Sequence, residues 1–237
     1  PRLRLALDEA SGAIVRLTHL GAGLELVSGA PSPIALRLEL SDVGWVDVGS
    51  LVGVVVLGDG VRLHWDAGRD IRVCADVLVR GDDLLLRVSA HNGGGATIER
   101  IRFPVVAGVG RLGGPGRDEL THSHASGFLF HDPADLFGPD PENHRRLGQN
   151  PYPEGFAGST MQFLAYQARG VGGFLLGTED AGRALKWFDV EGDGEHLTMS
   201  VAHKAPALAP GASFGPAYPV VIAPLDGGHW TDAADRY

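Results

Sequence analysis

Between residues 3 and 106, apolar and polar side chains alternate with a period of two, and no stretch before residue 107 repeats at 3.6 residues. Leu3, Leu5 and Leu7 alternate with Arg2, Arg4 and Ala6, and Leu36, Leu38 and Leu40 alternate with Arg37 and Glu39. A strand sends successive side chains to opposite faces, so this pattern describes antiparallel strands with one face buried and one face wet. Runs at 52–57, 61–66, 71–79, 84–90 and 97–106 extend the series. They are separated by Gly58-Asp59-Gly60, Gly81-Asp82-Asp83 and residues 92–95, all hairpin or turn signals. The 35 Gly and 15 Pro lie where such turns need them, and the chain is expected to be all-β.

A chain of 237 residues with 44% hydrophobic content can bury a large core as one unit, since β-sandwiches and barrels reach this size. No apolar run approaches the roughly 18 residues of a membrane span. The net charge is −9 and Arg145-Arg146 is the one basic cluster, which argues against nucleic acid, a partner that demands a concentrated positive face. Cys74 is the single cysteine and sits in the alternating run IRVCADVLV, where a buried structural thiol is expected.

Residues 151–189 combine strand-length apolar runs with turn residues and polar groups. Runs at 160–166, 172–178 and 184–189 are expected to form a three-stranded meander in the middle of one sheet. Its connections carry Gln162, Asp180 and Lys186 to strand ends, where a rigid sheet positions binding groups. Residues 196–203 and 218–223 read as later strands. Residues 231–237 read as the start of a helix, with Thr231 as N-cap and Asp232 and Asp235 near its positive end. The exception to the regular spacing is 107–158, rich in Gly, Pro, Asp and His, in which only 127–131 resembles a strand. An irregular segment of that length is expected to cover a site or an interface. It offers apolar anchors (Phe128, Phe130, Leu136, Phe137) and polar groups suited to sugar hydroxyls (His124, Arg145, Arg146, Gln149).

Several groupings bear on chemistry. His122 and His124, with His131 following, put two imidazoles on one side of an extended segment, as zinc would require, but no third ligand has a diagnostic spacing. Asp132, Asp135 and Asp140 lack the regular spacing of a calcium loop, and no metal or other cofactor is expected. Glycoside hydrolysis needs two carboxylates across a cleft, and the candidates are Glu119, Glu142, Glu154, Glu179 and Asp180. An aldose epimerase would need an acid and a base, for which His122 or His203 with Glu179 can be nominated. A carbohydrate-binding module would present an aromatic platform, but Trp45, Trp65, Trp187 and Trp230 are scattered, with Trp65 and Trp187 expected in the core.

The runs RRLGQNPYP, MQFLAY, GGFLLGTED and LKWFD, followed by YPVVIAPLDGGHWTDAADRY, resemble bacterial glycoside-hydrolase-like proteins. So do the opening LDEASGAIVRLTHLGAGLELV and the middle NGGGATIERIRFPVVAGVG. That family places a galactose-mutarotase-like β-supersandwich in front of a (β/α)8 barrel. The resemblance implies two large antiparallel sheets packed face to face over residues 1–230, with 231–237 leading into a C-terminal domain. It also implies that the catalytic pair belongs to the barrel, so that this chain is a non-catalytic accessory domain. Its partners would then be carbohydrate and the barrel, met through His122, His124, Arg145, Arg146, Gln149, Gln162, Asp180 and Lys186. An aldose epimerase and a stand-alone carbohydrate-binding module are the alternatives.

Overall fold

The computed structural model describes residues 1–28, 34–124, 127–137, 151–153, 158–227 and 229–237. Strands account for 60% of the described residues and helices for 5%, so the all-β expectation holds. In chain order the strands are β1 (Leu3–Leu7), β2 (Ile14–His19), β3 (Leu24–Ser28), β4 (Leu36–Leu40), β5 (Gly44–Val48), β6 (Leu51–Val56), β7 (Gly60–Asp66), β8 (Ile71–Arg80), β9 (Asp83–Asn92) and β10 (Ile98–Val109). Then follow β11 (Asp118–His124), β12 (Phe128–His131), the short helix α1 (Pro133–Leu136), β13 (Pro151–Tyr152), β14 (Ser159–Ala168), β15 (Gly172–Thr178), β16 (Lys186–Gly192), β17 (Leu197–Leu208), β18 (Ser213–Phe214), β19 (Val220–Leu225) and helix α2 (Trp230–Arg236).

These strands form two antiparallel sheets. The nine-stranded sheet runs β1-β2-β3-β10-β17-β16-β13, with β4 joined to β10 and β5 to β4. The ten-stranded sheet runs β12-β11-β14-β15-β19-β9-β8-β7-β6, with β18 on β9. The period-two pattern explains the sandwich, because the alternate apolar residues of both sheets share one core. Leu17, Leu36, Leu38, Ile101 and Phe188 face Trp65, Leu86, Leu120, Tyr166, Phe174 and Ile222 there. Each such side chain, withdrawn from water, contributes roughly 1.5–3 kcal/mol. Trp65 anchors one end, meeting Phe103 edge-on with ring centroids 6.4 Å apart and donating from Nε1 to Ser11 O at 2.7 Å. Gly12 lies beneath that ring with φ 73°, and a Cβ there would come within 2.9 Å of the indole.

The structure corrects several sequence expectations. The segment 107–158 is not a single irregular insertion: β11 and β12 are integral strands of the ten-stranded sheet, β11 lying between β14 and β12. The strand DELTHSH hides from an alternation test because Leu120 is its one hydrophobic residue, and polar side chains are buried along both faces. Residues 138–150 and 154–157 lie outside the described residues.

The meander over 151–189 is also divided. β14 and β15 pair as expected, but β16 belongs to the other sheet, between β13 and β17. The turn signal at 180–182 belongs to a wider crossing, residues 179–185, which carries the chain from one sheet to the other. Trp187 is half-buried rather than core, and so is Cys74, whose thiol burial pushes up from its ordinary pKa.

The expected N-cap Thr231 is replaced by His229, two residues earlier. The His229 imidazole accepts from Thr231 N and its backbone N–H donates to the Asp232 carboxylate at 3.0 Å, a reciprocal capping arrangement. Helix α2 lies on the outer face of the ten-stranded sheet, where Ala233 completes a second small core with Phe163, Ala165, Leu175, Val221, Ala223 and Leu225.

Candidate functional site

The three residues singled out at the ends of 160–189, Gln162, Asp180 and Lys186, converge. Tyr152, Lys186 and His203 stand opposite one another across β13, β16 and β17 of the nine-stranded sheet. From the other sheet, Gln162 near the start of β14 and Thr178 at the end of β15 reach the same place. Lys186 Nζ donates to Asp180 Oδ2 at 2.6 Å and to Gln162 Oε1 at 2.8 Å. Gln162 Nε2 donates to Asp180 O at 2.9 Å, and Thr178 Oγ1 donates to Gln162 Oε1 at 2.8 Å. The ammonium also lies over two aromatic rings, 4.7 Å from the centroid of Tyr152 and 4.3 Å from that of Tyr218.

Lys186 is fully buried and Asp180 nearly so, and charges in such a place persist only when paired and hydrogen-bonded. Burial pushes the Asp180 carboxyl upward, but the Lys186 ammonium and the backbone N–H groups of Ala184 and Gly182 outweigh it and leave the pKa below the ordinary range. Burial pulls Lys186 down, with Asp180 opposing. Four acceptors around Nζ, a carboxylate oxygen, an amide oxygen and two ring faces, suit the ammonium form. Asp180 also shapes the crossing loop, since its carboxylate accepts from Gly182 N at 2.8 Å and Ala184 N at 2.6 Å. Within that loop Arg183 adopts a left-handed backbone, φ 54°.

Behind Lys186 the network ends in His203. This imidazole is buried between the sheets, with Nδ1 2.9 Å from Tyr218 Oη and Nε2 2.9 Å from Phe103 O. Burial holds its pKa down to about 4, so it is neutral at physiological pH. Toward solvent the network forms the floor of a cleft of about 610 Å³ lined by Tyr152, Ser159, Thr160, Gln162, Asp180, Arg183 and Tyr237. The arrangement can brace a rigid, polar concavity at one end of the sandwich, with hydroxyl, amide and guanidinium groups at its rim.

Other nominated residues lie elsewhere. His122 is buried, its Nε2 3.2 Å from Phe188 O and its Nδ1 accepting from His124 N at 3.0 Å. His124 stacks on Phe128 with centroids 5.4 Å apart. The His122 and His124 rings are 6.2 Å apart, while His131 is exposed and approaches Glu119 at 3.6 Å. Among the described residues no group of three or more His, Cys, Asp or Glu is placed to hold a metal ion. Asp132 accepts from Gly116 N, and Asp135 pairs with Arg111. Arg145, Arg146 and Gln149, with Asp140, Glu142 and Glu154, lie outside the described residues.

The epimerase nominations do not assemble. Glu179 is at the surface, paired with Arg80, whose hydrogen bond lowers its pKa, whereas His203 and His122 are sealed between the sheets by backbone and tyrosine partners. Trp45 and Trp187, scattered in sequence, flank Arg100 on the outer face of the nine-stranded sheet, 5.2 and 4.7 Å from its guanidinium. Sequence reasoning missed Tyr152, Thr178, His203 and Tyr218 as parts of the network. They come from four separate segments, and only the packing of one sheet on the other joins them.

No protein-family model matches the sequence, and no curated protein matches it. By structure, the whole chain is similar to the α-N-acetylgalactosaminidase NagBb from Bifidobacterium bifidum. The TM-score is 0.69 for that enzyme's Gal-NHAc-DNJ complex and 0.66 for its GalNAc complex, at 15% identity in both. The chain spans 37% of the length of that enzyme. It is also similar to a candidate aldose 1-epimerase from Escherichia coli K12, with a TM-score of 0.51 and 12% identity over 94% of this chain and 96% of that one. The fold is therefore a galactose-mutarotase-like β-supersandwich.

Proposed function

We propose that the chain is the non-catalytic accessory domain of a glycoside-hydrolase-like protein. Residues 1–230 form the sandwich, and 231–237 begin the passage into a C-terminal catalytic barrel. The cleft lined by Gln162 and Asp180, with Lys186 bracing them from beneath, faces that barrel and shapes the edge of its sugar cleft. Carbohydrate and the barrel are thus the partners, and Tyr152, Gln162 and Arg183 are the residues positioned for them.

One observation carries this reading: the groups nominated for acid–base work are each held in separate structural roles. His203 is neutral and enclosed, Glu179 is neutralised by Arg80 at the surface, and Asp180 is saturated by Lys186 and two backbone donors. A general acid or base needs a free proton site within reach of substrate. The match along the whole chain to little more than a third of a glycosidase supports the accessory role.

The epimerase reading is favoured by a different observation, the 96% coverage of a candidate aldose 1-epimerase. Polarimetry with free galactose and glucose, beside an aryl-glycoside assay, separates the two. The accessory reading expects neither mutarotation nor hydrolysis above background from the isolated chain. Accelerated mutarotation that disappears in Glu179→Gln would replace it with the epimerase.

A further inference from the structure

Among the described residues, strand β6 is an edge of the ten-stranded sheet, paired with β7 on one side and with no strand on the other. Its run from Leu51 to Leu57 reads LVGVVVL, without a charge, a proline or a hydrogen-bonding side chain. Val54, Val55 and Val56 are 54%, 48% and 81% exposed. An apolar edge strand with free backbone groups is a template for another strand, and native proteins blunt such edges with charge, proline or brevity. The other edges here follow that rule: β12 has four residues and ends in His131, β13 has two, β1 carries Arg4 and β5 carries Asp47. Among the described residues β6 is the exception.

The ladder phase defines what the edge offers. Leu57 N donates to Gly60 O at 2.8 Å across the β6–β7 hairpin, and in an antiparallel pair bonded and non-bonded positions alternate. Val55, opposite Arg62, therefore spends its N–H and C=O on β7, whereas Val54 and Val56 turn theirs outward. Two outward residues separated by one inward residue are self-complementary. In a two-fold antiparallel pairing centred on Val55, Val54 of one copy exchanges both backbone bonds with Val56 of the other. The two Val55 side chains then meet directly, a favourable β-branched cross-strand pair. No charge within the run opposes its own image, despite the chain's net charge of −9.

We propose that β6 is a homodimerisation edge, occupied by β6 of a second copy of this chain in that register, joining two ten-stranded sheets into one. The pairing lies on a different strand from the cleft and does not depend on the accessory reading.

Sedimentation velocity of the 237-residue chain over a concentration series tests it. The wild type is expected to sediment as a dimer and Val55→Lys as a folded monomer, with its circular dichroism unchanged. Val55→Glu alone is also expected to be monomeric, while a mixture of the Lys and Glu variants restores a dimer, because this register alone places position 55 opposite itself. Val54→Pro, which removes one outward N–H and leaves the β7 bonds intact, is expected to lose the dimer as well and covers the case in which a charged variant misfolds. A wild type that stays monomeric at every concentration, a dimer that survives both Val55→Lys and Val54→Pro, or a Lys/Glu mixture that stays monomeric would overturn the proposal.

Discussion

Lys186 Nζ lies 2.6 Å from Asp180 Oδ2 in a fully buried position where the two sheets meet, and the pair joins β16 of one sheet to the crossing loop that leaves the other. Removing one partner leaves an uncompensated charge out of water, which costs about 3–5 kcal/mol. Lys186→Met is therefore expected to lower unfolding free energy by about that amount in urea titrations. The double variant Lys186→Met/Asp180→Asn should recover part of the loss, because the stranded charge is gone. Additive losses in the two single variants would show that the residues do not act as a pair.

His203 makes the fold sensitive to mild acid. Its folded pKa is depressed to about 4 from an ordinary 6.5, so between these values the unfolded chain binds a proton that the folded chain refuses. Stability from this residue is complete above about 6.5 and is lost as pH falls toward 4, by about 3 kcal/mol. Asp180 adds a loss at lower pH, since its folded pKa lies below the ordinary 3.8. Urea midpoints measured at pH 7 and pH 5 should differ in the wild type and converge in His203→Gln, whose amide keeps hydrogen-bonding capacity without the titration.

Helix α2 seats its apolar side through one small residue, beside an Arg236–Asp83 ion pair and the Tyr237 ring on Phe163. Ala233 is wholly buried on Phe163, Ala165, Leu175 and Leu225, and a helix of seven residues has little stability of its own. Ala233→Lys is expected to detach the helix while leaving the sandwich folded. Limited proteolysis should then cut within 229–237, and the apolar patch beneath should bind a hydrophobic dye.

The strands legible in the sequence are those with one wet face. Leu3, Leu5 and Leu7, or Leu36, Leu38 and Leu40, announce themselves by alternation because the sheet's outer side is solvated there. β11 does not, since Glu119, Thr121 and Ser123 on one face and Asp118 and His122 on the other are all buried. The site was legible in part. Gln162, Asp180 and Lys186 stand beside turn residues at strand ends, a local signal, and they meet in the structure. Tyr152, His203 and Tyr218 gain their roles only because β13, β17 and the segment before β19 are stacked by tertiary packing, which no local pattern encodes. The division of 151–189 between two sheets was hidden for the same reason, because a hairpin turn and a sheet crossing begin with the same Asp and Gly residues.

In the proposed function, the cleft at Tyr152, Gln162, Asp180 and Arg183 is the face toward a catalytic domain. Amide hydrogen exchange of this chain, compared with that of a longer polypeptide carrying the barrel, measures that directly. The crossing loop 179–185 is the most informative peptide, because residues 181–185 are exposed in the chain alone. Added protection there and at residues 151–153 is the predicted result. Unchanged exchange in the crossing loop, with protection gained instead along another surface such as the outer face of β7, β8 and β9, would contradict it.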